Sequence, residues 1–119
     1  MTVASLLATA LVGVGGALGA ASRHAVGLRV EGRQSVLLVN ALGSFALGAV
    51  SAAPVGSTAA LLLGVGFCGA FTTFSSFAVG TVRTASETGA RAAAAVAGSN
   101  LAAALAAFLL GSLLAGRLL

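Results

Sequence analysis

GFCGAFTTFSSF, residues 66–77, lies inside an apolar run yet holds two Thr, two Ser and four of the six Phe in the chain. Helix-weakening glycines and hydroxyls stand where plain apolar side chains would serve a membrane segment equally well. Gly64, Gly66 and Gly69 ease a break in a helix. Thr72, Thr73, Ser75 and Ser76 can satisfy the backbone groups that a break frees, which is the condition for irregular backbone at membrane depth. Broken helices near the bilayer midplane serve as ion sites: freed carbonyls face cations and helix N-termini face anions. A phenyl ring has an electropositive edge. Phe74 and Phe77, three residues apart, can therefore turn ring edges toward a passing anion, with ordinary core packing as the alternative.

The rest of the chain places this stretch in a membrane. It has 119 residues, of which 7% are charged, and a mean hydropathy of +1.12. A soluble domain carries about a quarter charged residues, so too little is left here to face water. Apolar runs cover residues 3–21, 35–53, 57–82 and 92–115, each near the ~20 residues that cross a bilayer as a helix. Arg-bearing or Pro-Gly segments separate them. The expectation is one all-α integral membrane domain of four helices, the third broken, with no soluble domain. The opening MTVASLLATA lacks the Lys or Arg of a signal peptide, so it reads as a retained first helix. Lone Cys68 reads as a small buried hydrophobe. The pI near 11.7 comes from Arg in loops and ends. With no basic face, it does not point to nucleic acid.

Small residues recur in the spans: Gly15 and Gly19, then Gly43, Ser44 and Gly48, then Gly98, Gly111 and Gly116. Such residues let helices approach closely in lipid. A four-helix unit is too thin to enclose a pore unaided, so tight seams also suggest a dimer. Asn40 is costly in hydrocarbon unless paired or wetted. It reads either as interhelical glue or as an NH₂ donor to an anion. Ser44 lies one turn beyond it on the same face. Ser99 and Asn100 either extend this polar stripe or cap the fourth helix.

Several functions are disfavoured by what the spans lack. Glu31 and Glu87 both fall in connections, so no carboxylate is available for proton-coupled transport, a rotary proton-carrying subunit or a small multidrug exporter. No metal cluster, paired carboxylates or Ser/His/Asp set supports enzyme chemistry. A passive pore needs only donors, acceptors and shape.

Three segments resemble one family. GGALGAASRH is similar to the first-helix pattern of the Fluc (CrcB) fluoride channels, with His24 where an aromatic is usual. LLVNALGSFALG resembles the helix-2 signature and GFCGAFTTFSSF the helix-3 signature. The resemblance implies an antiparallel, dual-topology-type dimer with two narrow pores along its interface, exporting cytoplasmic fluoride passively across the cell inner (plasma) membrane. By position it implies fluoride contacts from Phe74 and Phe77 and a pore amide at Asn40. It also implies a hydroxyl track of Thr73, Ser75 and Ser76, and a vestibule arginine at Arg23. Backbone carbonyls of Gly69 and Thr72 would hold a structural sodium ion. Two features depart from the family pattern: Gly80 stands where Glu is common, and the chain has no Tyr for helix 4.

Charge bears on assembly. Arg23, Arg29, Arg33, Arg83 and Arg91 fall on one side of a four-span topology and Arg117 on the other. The positive-inside rule then puts the Arg-rich connections in the cytoplasm and both termini outside. Such a bias favours a heterodimer with an oppositely oriented homologue over a homodimer whose bias is overridden. The alternative function is a non-conducting membrane scaffold or accessory subunit.

Overall fold

The computed structural model describes residues 1–119 and is entirely helical, with no strands. Four helical segments are long and apolar enough to cross a membrane: Val3–Arg29, Gly32–Ala52, Ser57–Glu87 and Ala90–Leu118.

Thr2 starts α1 (Val3–Arg29). Its hydroxyl accepts from the Ser5 amide at 3.1 Å, and Ser5 Oγ accepts from the Thr2 amide at 2.9 Å. This reciprocal box satisfies two amides that a helix start leaves open. The helix continues well past residue 21, through Arg23 and His24, to Arg29. Long basic side chains favour helix and can keep their charged heads in the interface, so the charged stretch does not interrupt it. The chain then reverses at Gly32, whose φ of +63° lies in the left-handed region. Next comes α2 (Gly32–Ala52), which closes before Pro54.

The third segment is composite. A short α3 (Ser57–Ala59) leads into a π-helix (Ala60–Cys68) and then α4 (Gly69–Phe71). Thr72 (φ −78°, ψ 162°) and Thr73 (φ −144°, ψ 117°) are extended. The helix resumes as α5 (Phe74–Glu87). Gly89, at φ +121°, makes the next reversal, and α6 (Ala90–Leu118) completes the chain.

Two helix pairs dominate the packing: α2 with α6, and α1 with the π-helix. In both, backbone meets backbone. A Cβ on Gly48 would collide with the Phe108 carbonyl, and one on Gly111 with the Phe45 carbonyl. Across the other seam, Gly15 faces the Leu62 carbonyl and Gly19 the Phe67 carbonyl. The π-helix makes this second match possible. Its wider i→i+5 winding brings residues five apart, such as Leu62 and Phe67, onto one face, where they meet two glycines one α-turn apart. Lipid is as apolar as the side chains, so close packing of this kind is what holds the bundle together. Only 16 of the 119 residues are buried. Many leucines of α1 and α6 point outward and require an apolar neighbour.

Gly111→Val should therefore destabilise the bundle by about 1–3 kcal/mol through overpacking. Gly98→Ala, with open space around its Cβ, should be neutral or mildly stabilising. Thermal unfolding of the two variants in detergent checks the contrast.

Candidate functional site at the interruption of the third segment

The extended pair Thr72–Thr73 takes backbone groups out of the helical ladder. Side chains and caps replace the lost partners. The Thr73 amide donates to Asn40 Oδ1 at 2.7 Å, and Asn40 Nδ2 donates to the Thr73 carbonyl at 3.1 Å. One primary amide thus pairs with both main-chain polar groups of a single residue. Thr73 Oγ1 caps α5 by accepting from the Ser76 amide at 3.2 Å, which is ordinary N-cap chemistry. Thr72 stays tied to the preceding turn: its amide and its hydroxyl both donate to the Cys68 carbonyl, at 3.1 and 2.9 Å. The Thr72 carbonyl accepts from Arg23 Nη1 at 3.3 Å.

These replacements leave particular oxygens without their helical donors. The Gly69 carbonyl would normally accept from the Thr73 amide, which is bound to Asn40. The Thr72 carbonyl would normally accept from the Ser76 amide, which is bound to Thr73 Oγ1. Both are main-chain acceptors, of the kind a hard cation uses.

Asn40 and Asn100, the only two asparagines in the chain, are both buried and hydrogen-bonded to each other. Asn40 Nδ2 donates to Asn100 Oδ1 at 3.1 Å. The two hydrogens of Asn40 Nδ2 are therefore directed at Thr73 and Asn100. The same bond fixes the orientation of the Asn100 amide, so its NH₂ remains a donor.

Three clefts converge on the interruption. One, of about 550 Å³, is lined by Asn40, Ser44, Gly69, Thr72, Phe74 and Asn100 among others, and it also includes Thr73 and Phe77. A second, of about 450 Å³, is reached by Ser75, Ser76, Phe77 and Asn100. The third contains Arg23 and His24 with Thr73 and Ser76. The sequence-derived candidates are thus gathered around one point but divided among three openings. Asn100 borders two of the openings. The Phe74 and Phe77 rings lie 5.7 Å apart, tilted by 44°. Phe74 is 79% exposed, an unusual place for a large aromatic unless something covers it.

Arg23 sits differently from a free vestibule charge. It is part-buried inside α1, with one guanidinium nitrogen on the Thr72 carbonyl. By sequence Asn100 is either a stripe or a cap residue; the structure makes it the partner of Asn40. A signal was available: two isolated amides at membrane depth each need a partner, and the chain has only these two asparagines.

Four apolar spans gathered around a hydrogen-bonded interruption define a multi-pass membrane protein. The CrcB-like protein, Camphor Resistance (CrcB) family matches residues 10–112, and the chain belongs to that family. It is 56% identical over 93 residues to the fluoride-specific ion channel FluC 2 of Natronomonas pharaonis, covering 76% of this chain and 78% of that one. It is 57% identical over 76 residues to FluC 2 of Haloarcula marismortui, covering 61% and 64% of the two chains. FluC 1 of the same organism is 48% identical over 79 residues, covering 62% of each. The relatives are named as channels, and the chain is not an enzyme.

Asn40→Ala would strand the Thr73 amide and carbonyl. An unsatisfied buried polar group costs about 1–3 kcal/mol, so this variant should unfold at markedly lower temperature. Ser44→Ala should change stability little. Thermal melts of both variants in the same detergent make the comparison.

Proposed function

We infer that this chain is a subunit of a passive fluoride channel in the cell membrane. The observation that carries the reading is the arrangement at the interruption, where a fixed amide dyad, hydroxyls and two phenyl rings line one cleft that contains no carboxylate. The names of the relatives support fluoride as the ion. Fluoride is small and strongly hydrated, so entry requires its water to be replaced by donors in a narrow path.

The residues divide this work. Asn40 organises: it holds Thr73 and sets the direction of Asn100. The Asn100 NH₂ donates to the ion, and its polarity is reinforced by the bond it accepts from Asn40. Ser44 offers a hydroxyl on the Asn40 side, while Thr73, Ser75 and Ser76 form the track toward the other opening. The edges of Phe74 and Phe77 stabilise the desolvated anion where no hydroxyl reaches.

An exposed cleft that is part polar and edged by a bare phenyl ring is a poor surface to present to lipid. Its suitable cover is a second subunit of opposite orientation, which closes the path from the other side. A sodium ion between the two copies would be held by the Gly69 carbonyl, which has lost its helical donor, and by the lone pair of the Thr72 carbonyl that Arg23 does not use. Bound there, it would supply positive charge that ties the two interruptions together. The five-to-one arginine bias and the occurrence of FluC 1 and FluC 2 in one organism favour a heterodimer with an oppositely oriented homologue over a homodimer.

Reconstitution into liposomes with an external fluoride electrode tests the reading. The chain with its homologue should release trapped fluoride and leave chloride inside. Absence of fluoride release by the chain alone and by the pair would reject the channel in favour of a scaffold.

Two substitutions examine the roles. Phe74→Ile and Phe77→Ile should leave assembly intact and lower flux by at least about tenfold, since an alkyl group has no positive edge. Asn100→Asp should abolish flux by replacing a donor with a negative acceptor in an anion path. Normal efflux from Asn100→Asp would remove Asn100 from the path.

A further inference from the structure

The cleft of about 450 Å³ that opens beside Asn100 holds more than the proposed path uses. Its lining includes Arg33 at the start of α2, and Gly80, Arg83 and Glu87 on α5. Arg33 and Arg83 are both exposed. They come from segments about fifty residues apart in sequence, and the fold brings them to one opening. The α2 N-terminus, at Gly32, lies in the same lining and contributes the positive end of a 21-residue helix. Glu87 is the one acidic lining residue, so the side chains sum to one net positive charge.

Gly80 keeps the cleft open. A Cβ there would meet nothing within 4 Å, so this position has room for a side chain and leaves it empty. The lining also carries the hydroxyl-bearing residues Ser75 and Ser76 and the amide of Asn100. The volume far exceeds that of a fluoride ion. Guanidinium groups match the forked geometry of oxyanions better than that of a spherical halide.

We propose that this cleft is a binding site for a phosphate-type oxyanion, held between Arg33 and Arg83. The anion is either free phosphate or the headgroup phosphate of an anionic lipid, since the arginines sit where the helices leave the apolar zone. The binding does not depend on the fluoride reading. The functional consequence does: an occupant of this size stands over the Asn100 end of the path and slows ion passage from that side.

The test uses the purified chain. Inorganic phosphate is titrated into protein in neutral detergent and followed by calorimetry. In parallel, the chain is placed in nanodiscs of zwitterionic lipid with and without phosphatidylglycerol, and retained phosphatidylglycerol is measured. Arg83→Gln and Arg33→Gln should each weaken the bound species by roughly tenfold, a change of ~1.4 kcal/mol. Gly80→Glu should abolish binding by placing a carboxylate in the open space, with no clash to prevent folding. Glu87→Gln should strengthen binding, which a purely structural role for the arginines would not produce. Saturable phosphate binding with this pattern identifies the free anion as occupant; selective retention of phosphatidylglycerol with the same pattern identifies the lipid. No binding in either arm, or binding indifferent to all four substitutions, overturns the proposal, whatever the fluoride assay shows.

Discussion

The structure depends on one side-chain amide standing in for a helix. At Thr73 the main chain leaves the helical ladder, and Asn40 supplies both a donor and an acceptor to the residue that has lost them. In water such a substitution would contribute little, because solvent could serve either group. At membrane depth no solvent stands ready, and each unpaired group costs several kcal/mol. The interruption is therefore tolerated only while Asn40 is in place. Around that bond the other partners take position: Thr73 Oγ1 on the start of α5, Arg23 on the Thr72 carbonyl and Asn100 on the far side of the same amide.

The glycine seams make the contact geometrically possible. Asn40 lies on α2, whose face toward α6 is drawn close by Gly48 and Gly111, and Asn100 lies on α6. Bulky residues in these seams would separate two short amides whose bond spans only 3.1 Å. The π-helix does corresponding work on the other side. By matching the Leu62 and Phe67 carbonyls to Gly15 and Gly19, it seats α1 against the third segment and brings Arg23 within reach of Thr72. Packing, backbone irregularity and site chemistry are thus linked through a few short distances.

Much of this was legible in the chain and some was not. Four apolar spans could be read because the breaks between them carry charge, which hydrocarbon disfavours, or a Pro-Gly turn, which a helix does not continue through. The stretch 66–77 stands out because its hydroxyls have no evident use in lipid, and the extended pair Thr72–Thr73 lies within it. Helix ends were less legible: α1 runs on through Arg23 and His24, since basic residues mark where a membrane surface lies without ending a helix. Long-range pairings were the least legible. Asn40 meets Thr73 across 33 positions and Asn100 across 60, and nothing local in the sequence distinguishes an amide that clamps backbone from one that faces an ion. The π-winding was also hidden, because ALLLGVGFC carries no residue that marks it and its fit to α1 is a long-range contact.

The central claim is that the interruption, closed by an oppositely oriented subunit, forms a path that selects fluoride by its donors. Its most direct measurement is the reversal potential of the reconstituted pair in a planar bilayer under opposed fluoride and chloride gradients. The account requires current that reverses at the fluoride equilibrium potential and does not move when the chloride gradient is changed. A reversal potential that follows chloride would contradict it.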